Sequence, residues 1–402
     1  MPLILLIAAA AAVAVKQQAA SLPPPAFGLN SWNSIRSNLN EQFVVDAINA
    51  VVALNLSAYG FEYVNLDDGW AHIALGGRYP NGTVIIDSTA FPNGIAPLAA
   101  LAHSHGLKLG IYSDRGTATC MGRSGSYGYE KIDAATYASW GIDFLKEDSC
   151  FASGNHTVAF AEYALMRQSL LATGRDIYFS LCGWASWYAP VGKQLGNSWR
   201  ISGDVNSWED ALIAIDINSQ LAKFASQGHY NDPDMLLGSS GNVAVSLTPE
   251  RSRTQFSLWC IMMAPLMIGA DVRNLSAWDL QTYTNAELIA INRDPLFVQG
   301  QRVVGGNLTG ILPLPYPVSN VWAKPLADGS VAVLFLNNAP WARDVTCDAS
   351  CFSRMGLAGV SVDVRDLWAH KNLAPIANTT SGFTAHNVGA SGASMTFKFT
   401  PK

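Results

Sequence analysis

The sequence predicts a (β/α)8 TIM barrel (an α/β fold) followed by a small C-terminal antiparallel β-sandwich domain. From residue 27 to about residue 291, short apolar segments alternate with helix-length amphipathic stretches eight times. This segment has about the length that eight βα units require. After Asp294-Pro295 the pattern changes to two-residue alternation broken by turn signals. A doubly wound open sheet is the alternative that the first pattern leaves open.

The elements can be placed individually. The predicted strands are short and apolar, and they cover 27–32, 61–67, 107–113, 143–148, 177–182, 198–204, 228–234 and 266–272. The predicted helices cover 41–55, 95–105, 130–140, 156–173, 189–196, 208–226, 249–263 and 276–291. In the last quarter, residues 321–338 predict a hairpin around Asp328-Gly329. We therefore assign the barrel to 21–294 and the β domain to 295–402.

The N-terminus predicts a signal peptide over residues 1–20. Residues 3–15 form an apolar run that is too short to span a bilayer, and small residues at Ala19 and Ala20 suit cleavage. No later segment has a transmembrane pattern. Six Asn-X-Ser/Thr sequons independently favour the secretory route, with the extracellular space, the cell wall and a vacuole or lysosome as destinations. Their asparagines are Asn55, Asn81, Asn155, Asn274, Asn307 and Asn378.

Composition excludes several classes of partner. Charged residues make up only 14% of the chain and the net charge is −5, so nothing in the sequence attracts nucleic acid or an anionic membrane. Twelve Trp and thirteen Tyr suit a neutral polar ligand such as a sugar, although most such rings fill cores. The GxxxxGK[ST], HExxH, GxSxG and CxxC motifs are all missing, and the seven His residues are scattered. We therefore expect no cofactor and no metal, which disfavours a metal-dependent hydrolase.

Acidic residues gather where the predicted strands end. In a (β/α)8 barrel the active site lies at the C-terminal ends of the strands. A single Asp there is usually a helix cap, but acids after five strands would place many negative charges in one mouth. Two carboxylates across a pocket are what glycoside hydrolysis requires. The acids are Asp67, Asp68, Asp114, Asp148, Asp204, Asp232 and Asp234, with Lys146 and Arg200 as counter-ions.

Eight motifs make the assignment specific. They are GLNSWN (28–33), YVNLDDGW (63–70), LGIYSDRGTATC (109–120), FLKEDSC (144–150), SLCGW (180–184), WRISGDV (199–205), YNDPDML (230–236) and FSLW with APLMIGADV (256–272). In this order they resemble glycoside hydrolase family 27, which comprises α-galactosidases and α-N-acetylgalactosaminidases. The resemblance covers the whole barrel, and we extend it to the β domain.

The resemblance implies a role for each matching residue. Asp148 corresponds to the nucleophile of a retaining mechanism, and Asp204 corresponds to its acid/base. Asp67 and Asp68 correspond to the pair that binds the sugar O6 and O4. The remaining matches are Lys146 and Arg200, which would bind ring hydroxyls, and Trp32, Tyr112, Cys182, Asp234 and Met235, which would line the pocket. We further expect the two cations to keep Asp148 ionised, and burial and neighbouring acids to keep Asp204 protonated.

The sequence also departs from the family pattern. Leu29 stands where Trp is usual, and Glu147 stands where Tyr is usual. Because neighbouring strand residues alternate in direction, the Glu147 side chain should point away from the lumen, towards the helix layer. A disulfide that is usual in the family is missing, because Ser37 and Gly69 stand at the positions of its two cysteines. Gly183 replaces an acid or amide, which opens the question of specificity at carbon 2.

The six cysteines divide into pairs and free thiols. Cys120 follows the third strand and Cys150 the fourth, so neighbouring loops should bring them together in a disulfide. Cys347 and Cys351 are close enough in sequence for a local bridge. We expect Cys182 to be a free pocket thiol and Cys260, on an apolar helix, to be a buried one.

The leading hypothesis is an exo-acting α-galactosidase that hydrolyses terminal α-D-galactose from oligosaccharides or glycoconjugates. An α-N-acetylgalactosaminidase is the first alternative, because Gly183 and Ser186 are small. A catalytically silent galactose-binding homologue is the second, although such a protein would be expected to have lost Asp148 or Asp204. A homodimer is a candidate assembly.

Overall fold

The computed structural model of the chain describes residues 22–73, 77–241, 246–309 and 319–402. The predicted signal peptide lies outside the described residues.

Eight parallel strands form the barrel in chain order. They are β1 (Phe27–Asn30), β2 (Tyr63–Asn65), β3 (Lys108–Asp114), β4 (Phe144–Asp148), β5 (Tyr178–Leu181), β6 (Ser198–Arg200), β7 (Tyr230–Asp232) and β8 (Leu266–Ile268). Each strand pairs with its neighbour in sequence, and β1 also pairs with β8. A parallel bridge between Leu236, just beyond β7, and Ile268 joins the remaining two edges. The sheet therefore closes, which confirms the barrel and rejects the open sheet.

Helices surround the barrel. They are α1 (Trp32–Ile35), α2 (Glu41–Ala53), α3 (Ala96–Ser104), α4 (Glu130–Ser139), α5 (His156–Ala172), α6 (Gly192–Leu195), α7 (Trp208–Asn218), α8 (Pro249–Ile261), α9 (Ala277–Tyr283) and α10 (Ala286–Asn292). Side-chain caps fix the first residue of several helices. The side chains of Asn40, Ser207 and Thr248 each accept a hydrogen bond from a backbone N–H in the first turn of the helix that follows. Within the described ranges, no helix combines the length and apolar character that crossing a bilayer requires.

Two of the predicted helices have different bounds in the structure. The predicted helix 276–291 is two helices, because the Asn285 side chain accepts hydrogen bonds from the N–H groups of Glu287 and Leu288 and starts α10 afresh. The predicted helix 208–226 ends at Asn218 and continues as a short 3-10 turn. Most of the predicted strands are also too long, because the polar residues at their ends belong to the loops that form the mouth. Asp204, for example, lies four residues beyond the last residue of β6.

The C-terminal part is antiparallel, as expected for a β-sandwich. Its elements are β9 (Gln301–Val304), β10 (Ser319–Pro325), β11 (Val331–Asn337), β12 (Arg343–Cys347), α11 (Ala349–Arg354), β13 (Val362–Asp366), β14 (Lys371–Asn372), β15 (Phe383–Val388) and β16 (Ala393–Pro401). Six strands form one sheet in the order β14-β13-β16-β11-β10-β9, and β12 pairs with β15 in a second. The β10–β11 hairpin turns at Asp328-Gly329, where Gly329 adopts a φ of +80°.

A buried lysine ties the β domain to the barrel. Lys324 on β10 is completely buried, and its Nζ donates to the carbonyl oxygens of Ile291, at 2.6 Å, and Asn292, at the end of α10. Burial lowers the pKa of this amine to about 8. The β domain thus supplies the cap that the last turn of α10 needs.

Candidate active site

One small pocket at the C-terminal ends of the strands collects most of the predicted site residues. It encloses about 60 Å³ and adjoins a second cavity of about 30 Å³ inside the barrel, which Cys182 lines. The predicted residues that line the larger pocket are Trp32, Asp67, Asp68, Tyr112, Lys146, Asp148, Arg200, Asp204, Asp234 and Met235.

Asp148 ends β4 and is held on both carboxylate oxygens. The hydroxyl of Tyr112 donates to Oδ2 at 3.0 Å, and the backbone N–H of Ser149 donates to Oδ1 at 2.9 Å. Only 5% of Asp148 is exposed, and this burial raises its pKa to about 6, although Lys146 and Arg200 oppose the rise. The expectation that the two cations lower the pKa of Asp148 and keep it ionised is not met below about pH 6, because desolvation of the carboxylate outweighs them.

Asp204 has the opposite environment. Its side chain is 55% exposed, and Oδ1 lies 3.0 Å from Nη2 of Arg200. Burial opposes ionisation, but the Arg200 guanidinium and the Lys146 ammonium outweigh it and lower the pKa of Asp204. The expectation of a protonated Asp204 is wrong for the free protein, because the sequence does not reveal that Arg200 forms a direct ion pair with it.

Arg200 organises this side of the pocket. Its Nη1 lies 3.0 Å from Oδ1 of Asp234 and donates to Sγ of Cys182 at 3.6 Å. Asp234 also accepts the N–H of Val205 at 2.7 Å, which ties the end of the β7 strand to the loop that carries Asp204. Burial raises the pKa of the Cys182 thiol well above its usual range, so this cysteine is a neutral wall of the site.

Asp67 and Asp68 are almost completely buried acceptors that precede no helix. Oδ2 of Asp67 accepts from Lys146 Nζ and from Asn30 Nδ2, both at 2.7 Å. Oδ2 of Asp68 accepts the N–H of Met121 at 2.9 Å, and burial raises the pKa of Asp68. Fixed carboxylates of this kind recognise hydroxyl groups whose positions are defined.

The structure contains both expected disulfides, Cys120–Cys150 beside the pocket and Cys347–Cys351 in the β domain. Cys182 and Cys260 are free and buried, as predicted. Asp114 lies beneath the first bridge and accepts the N–H groups of Gly116 and Cys150, at 2.7 Å and 2.8 Å. The carboxylates of Asp114 and Asp148 approach the two bridge sulfurs closely, but sulfurs in a disulfide cannot act as thiolate ligands.

Comparison with known proteins identifies the family. The family model described as alpha galactosidase A matches residues 29–294, and the model of the alpha galactosidase C-terminal beta sandwich domain matches residues 319–397. The chain belongs to the α-galactosidase family, glycoside hydrolase family 27.

Individual relatives agree. An alpha-galactosidase of Cyamopsis tetragonoloba is 40% identical over 363 residues, which cover 89% of this chain and 82% of that protein. An alpha-galactosidase of Coffea arabica is 41% identical over 354 residues, covering 86% of this chain and 87% of that protein. The crystal structure of alpha-galactosidase I from Mortierella vinacea superposes with a TM-score of 0.84 at 31% identity, covering 94% of this chain and 96% of that chain.

Five further residues of this family member line the pocket and were not singled out from the sequence as ligand contacts. They are Asn33, Trp184, Val205, Asn206 and Cys120, which forms the disulfide beside the pocket. Trp184 adopts a left-handed backbone with a φ of 54°, a conformation that is uncommon for non-glycine residues. The SLCGW motif includes this Trp, but a left-handed backbone at a single residue produces no periodic pattern in the sequence, so its place in the pocket could not be predicted from periodicity.

The small size of Gly183 has a packing cause. A Cβ atom at this position would lie 1.9 Å from a ring carbon of the buried Tyr188. Trp187 is stacked on Tyr188 at 3.8 Å and on His156 at 3.7 Å, measured between ring centroids. The space beside Gly183 is therefore filled by the Tyr188 ring, and the glycine does not provide the opening that we considered from the sequence.

Glu147 lies behind the pocket and does not line it. It is completely buried, and neither carboxylate oxygen has a hydrogen-bond partner among the described residues. Burial raises its pKa well above the usual range, and the nearby acids Asp114, Glu130 and Asp133 raise it further, against the effect of Arg115. The folded protein thus holds Glu147 in its neutral form.

This environment predicts a pH-dependent effect of Glu147→Gln. The unfolded chain releases the Glu147 proton above about pH 4.3, whereas the folded chain keeps it, so this carboxyl lowers stability as the pH rises. The free energy of unfolding of Glu147→Gln should match that of the wild type at about pH 4, then exceed it by about 1.4 kcal/mol per pH unit up to the folded pKa. Urea unfolding at about pH 5 and about pH 7 measures this difference.

Glu209→Gln is the matched control, because Glu209 is an exposed carboxylate at the start of α7. Its effect should be small at both pH values. An equal stability difference for Glu147→Gln at both pH values would contradict the neutral state of this residue.

Proposed function

We propose that this member of the family releases terminal, non-reducing α-D-galactose from galactosides by double displacement, with Asp148 as nucleophile and Asp204 as acid/base. Hydrolysis of α-galactosides follows from family membership, and the assignment of residues to steps is the proposal. The observation that carries it is that Asp148 and Asp204 line one pocket in different environments, one buried and one open to solvent. Double displacement requires two carboxyl groups at one pocket, one to attack the anomeric carbon and one to exchange protons with the leaving group and with water.

The proposed double displacement has two steps. Asp148 attacks the anomeric carbon and forms an ester bond, while the bond to the leaving oxygen breaks and Asp204 gives that oxygen a proton. In the second step Asp204 takes a proton from water, whose oxygen attacks the same carbon and displaces the Asp148 carboxylate. Tyr112 and Ser149 hold that carboxylate throughout. We expect the two carboxyl groups to be about 5–6 Å apart, as double displacement requires.

The stereochemistry of the product tests this proposal. Time-resolved proton NMR of the hydrolysis of an aryl α-galactoside should show α-galactose as the first product, followed by mutarotation. If β-galactose were the first product, the carboxylate assigned as the nucleophile would instead be a base that activates water. No release of galactose at all would favour the silent binding homologue.

The choice of hexose rests on Asp67 and Asp68. The two buried carboxylates are held by Asn30, Lys146 and the N–H of Met121, so they cannot turn to suit another arrangement of hydroxyl groups. In our assignment they accept hydrogen bonds from O6 and O4 of the sugar, and the axial O4 distinguishes galactose from glucose.

Carbon 2 gives a separate prediction. Since the Tyr188 ring fills the space beside Gly183 and Trp184 lines the pocket, an acetamido group should meet a closed wall. One added group typically shifts selectivity by about 1–3 kcal/mol, so we expect kcat/KM for the aryl α-galactoside to exceed that for the matched N-acetylgalactosaminide by about 5- to 150-fold. A preference for the acetamido sugar would reinstate the alternative.

The pH dependence follows from the two carboxyl groups. The reacting form needs Asp148 ionised and Asp204 protonated, but burial raises the pKa of Asp148 to about 6 and the cations lower that of Asp204. Above about pH 6 both groups are ionised, and the reacting fraction falls about tenfold per pH unit. We therefore expect kcat/KM to be highest at acidic pH. Rates from about pH 3 to about pH 8 measure this, and a plateau extending beyond about pH 7 would contradict it.

We further propose that the chain enters the secretory pathway. The asparagines of all six sequons are exposed, at positions 55, 81, 155, 274, 307 and 378. The two disulfides suit an oxidising compartment. A fall in the mass of the secreted protein after N-glycosidase treatment tests this route, and light scattering tests the candidate homodimer.

A further inference from the structure

A second groove lies at the seam between the barrel and the β domain, outside the active-site pocket. It encloses about 380 Å³, which is within the range of sites for small ligands. Residues of α8, α9 and the β domain line it, among them Glu250, Arg253, Trp278, Asp366, Trp368 and Ser394. Nothing in the catalytic mechanism uses these residues.

The groove lies on the catalytic side of the molecule. Helices that follow barrel strands begin at the C-terminal face, where the active site opens. Glu250 and Arg253 lie in the first turns of α8, and Trp278 lies in the first turn of α9. These lining residues therefore lie towards the end of the barrel at which the active site opens.

The aromatic walls of the groove are fixed in advance. The Arg253 guanidinium carbon lies 3.5 Å from the ring centroid of Trp278 and 4.6 Å from that of Trp368. The Trp278 indole N–H donates to the carbonyl oxygen of Pro249 at 2.8 Å, and that of Trp368 donates to Ser257 Oγ at 3.1 Å. Both rings are only partly buried. Rigid walls lower the entropy cost of binding a ligand.

We propose that this groove is a second carbohydrate-binding site, which holds a neutral saccharide away from the catalytic pocket. The two carboxylates of Glu250 and Asp366 against the single guanidinium of Arg253 leave no excess of positive charge for a phosphate or nucleic acid. Carboxylate and hydroxyl groups accept and donate hydrogen bonds to sugar hydroxyls, while partly exposed indole rings cover the apolar faces of a pyranose. The groove shares the substrate class of the proposed function but does not depend on the catalytic roles of Asp148 and Asp204.

The test measures retardation of the folded protein in native gels that contain a soluble galactomannan. All variants are made in the Asp148→Asn background, so that the galactomannan is not cleaved and any contribution of the active site to retardation is the same in every variant. Trp278→Ala and Trp368→Ala should weaken binding about tenfold or more, as truncation of a central Trp commonly does. Ala369→Trp should do the same by filling the groove, since Ala369 is an exposed lining residue whose replacement removes no structural contact of the two rings.

Trp341→Ala is the matched control, because Trp341 is 63% exposed on the β domain and does not line the groove. It should leave retardation unchanged. In the otherwise wild-type enzyme, kcat/KM for an aryl α-galactoside should be unchanged by the groove variants, whereas hydrolysis of the galactomannan should slow.

Wild-type retardation of Ala369→Trp and of the folded Trp variants would overturn the proposal. So would a change in oligomeric state with unchanged retardation, which would make the groove a contact between copies of this chain. Failure of the proposed catalytic function would appear separately, as a wild-type enzyme that releases no galactose while the groove variants still differ in retardation.

Discussion

Replacing Asp148 with Asn is expected to abolish hydrolysis of every α-galactoside, whatever its leaving group. An amide cannot form the ester with the anomeric carbon, and the loss should be on the order of 10⁴-fold or more in kcat. The fold should survive, because the Asn oxygen can still accept the N–H of Ser149 that now bonds Oδ1. The measurement is the initial rate with an aryl α-galactoside and with melibiose, beside a thermal unfolding curve that confirms the native state.

Two comparisons make this result specific. Glu147→Gln is the matched control, because Glu147 precedes Asp148 on β4 but does not line the pocket, so its variant should keep its activity. Azide should partly rescue Asp148→Gly, since the small anion can occupy the vacated space and attack the anomeric carbon, giving β-galactosyl azide. Near-normal activity of Asp148→Asn, without azide, would mean that another carboxylate is the nucleophile.

Much of the fold could be predicted because periodicity reports burial directly. Seven of the eight barrel strands fall within the predicted segments, β3 extends one residue beyond its segment to Asp114, and the hairpin at Asp328-Gly329 lies where the turn chemistry placed it. The exceptions have local causes, such as the Asn285 cap that divides one predicted helix into α9 and α10. A side-chain cap inside an amphipathic stretch does not alter the apolar period, so the pattern alone could not reveal it.

The positions of the site residues could be predicted, but their protonation could not. Ten of the eleven predicted catalytic and sugar-binding residues line one pocket and Cys182 lines the adjoining cavity, because strand ends in a barrel converge. The pKa of Asp148 depends on how completely neighbouring loops exclude water from it, and that of Asp204 depends on a 3.0 Å contact with Arg200. Both quantities arise from tertiary packing between distant segments, which residue spacing does not record.

The ion pair between Asp204 and Arg200 bears on how the acid works. A carboxylate paired with a guanidinium resists protonation, so the proton that Asp204 delivers is present in only a small fraction of the free enzyme. Substrate that enters the pocket excludes water from this half-exposed side chain, which favours its neutral form. Arg200 keeps its second partner, Asp234, at 3.0 Å, so it need not move when Asp204 becomes neutral.

Replacing Asp204 with Asn should therefore have an effect that depends on the leaving group. For melibiose or a methyl galactoside, whose leaving alkoxide must be protonated, we expect kcat/KM to fall by about 10²–10⁴-fold. For a dinitrophenyl galactoside, whose phenolate leaves unaided, kcat/KM should fall much less. The second step also loses its base, so the galactosyl-enzyme should accumulate and produce a burst of phenolate in stopped-flow traces.

Azide separates this variant from the nucleophile variants. It needs no base to attack the anomeric carbon, so it should raise the steady-state rate of Asp204→Asn on the dinitrophenyl substrate and yield α-galactosyl azide after two inversions. Asp148→Gly should yield the β-anomer after one inversion, so NMR of the two products assigns the two carboxylates independently. An equal loss of kcat/KM for good and poor leaving groups in Asp204→Asn, with no burst, would show that this residue binds substrate and that the proton comes from elsewhere.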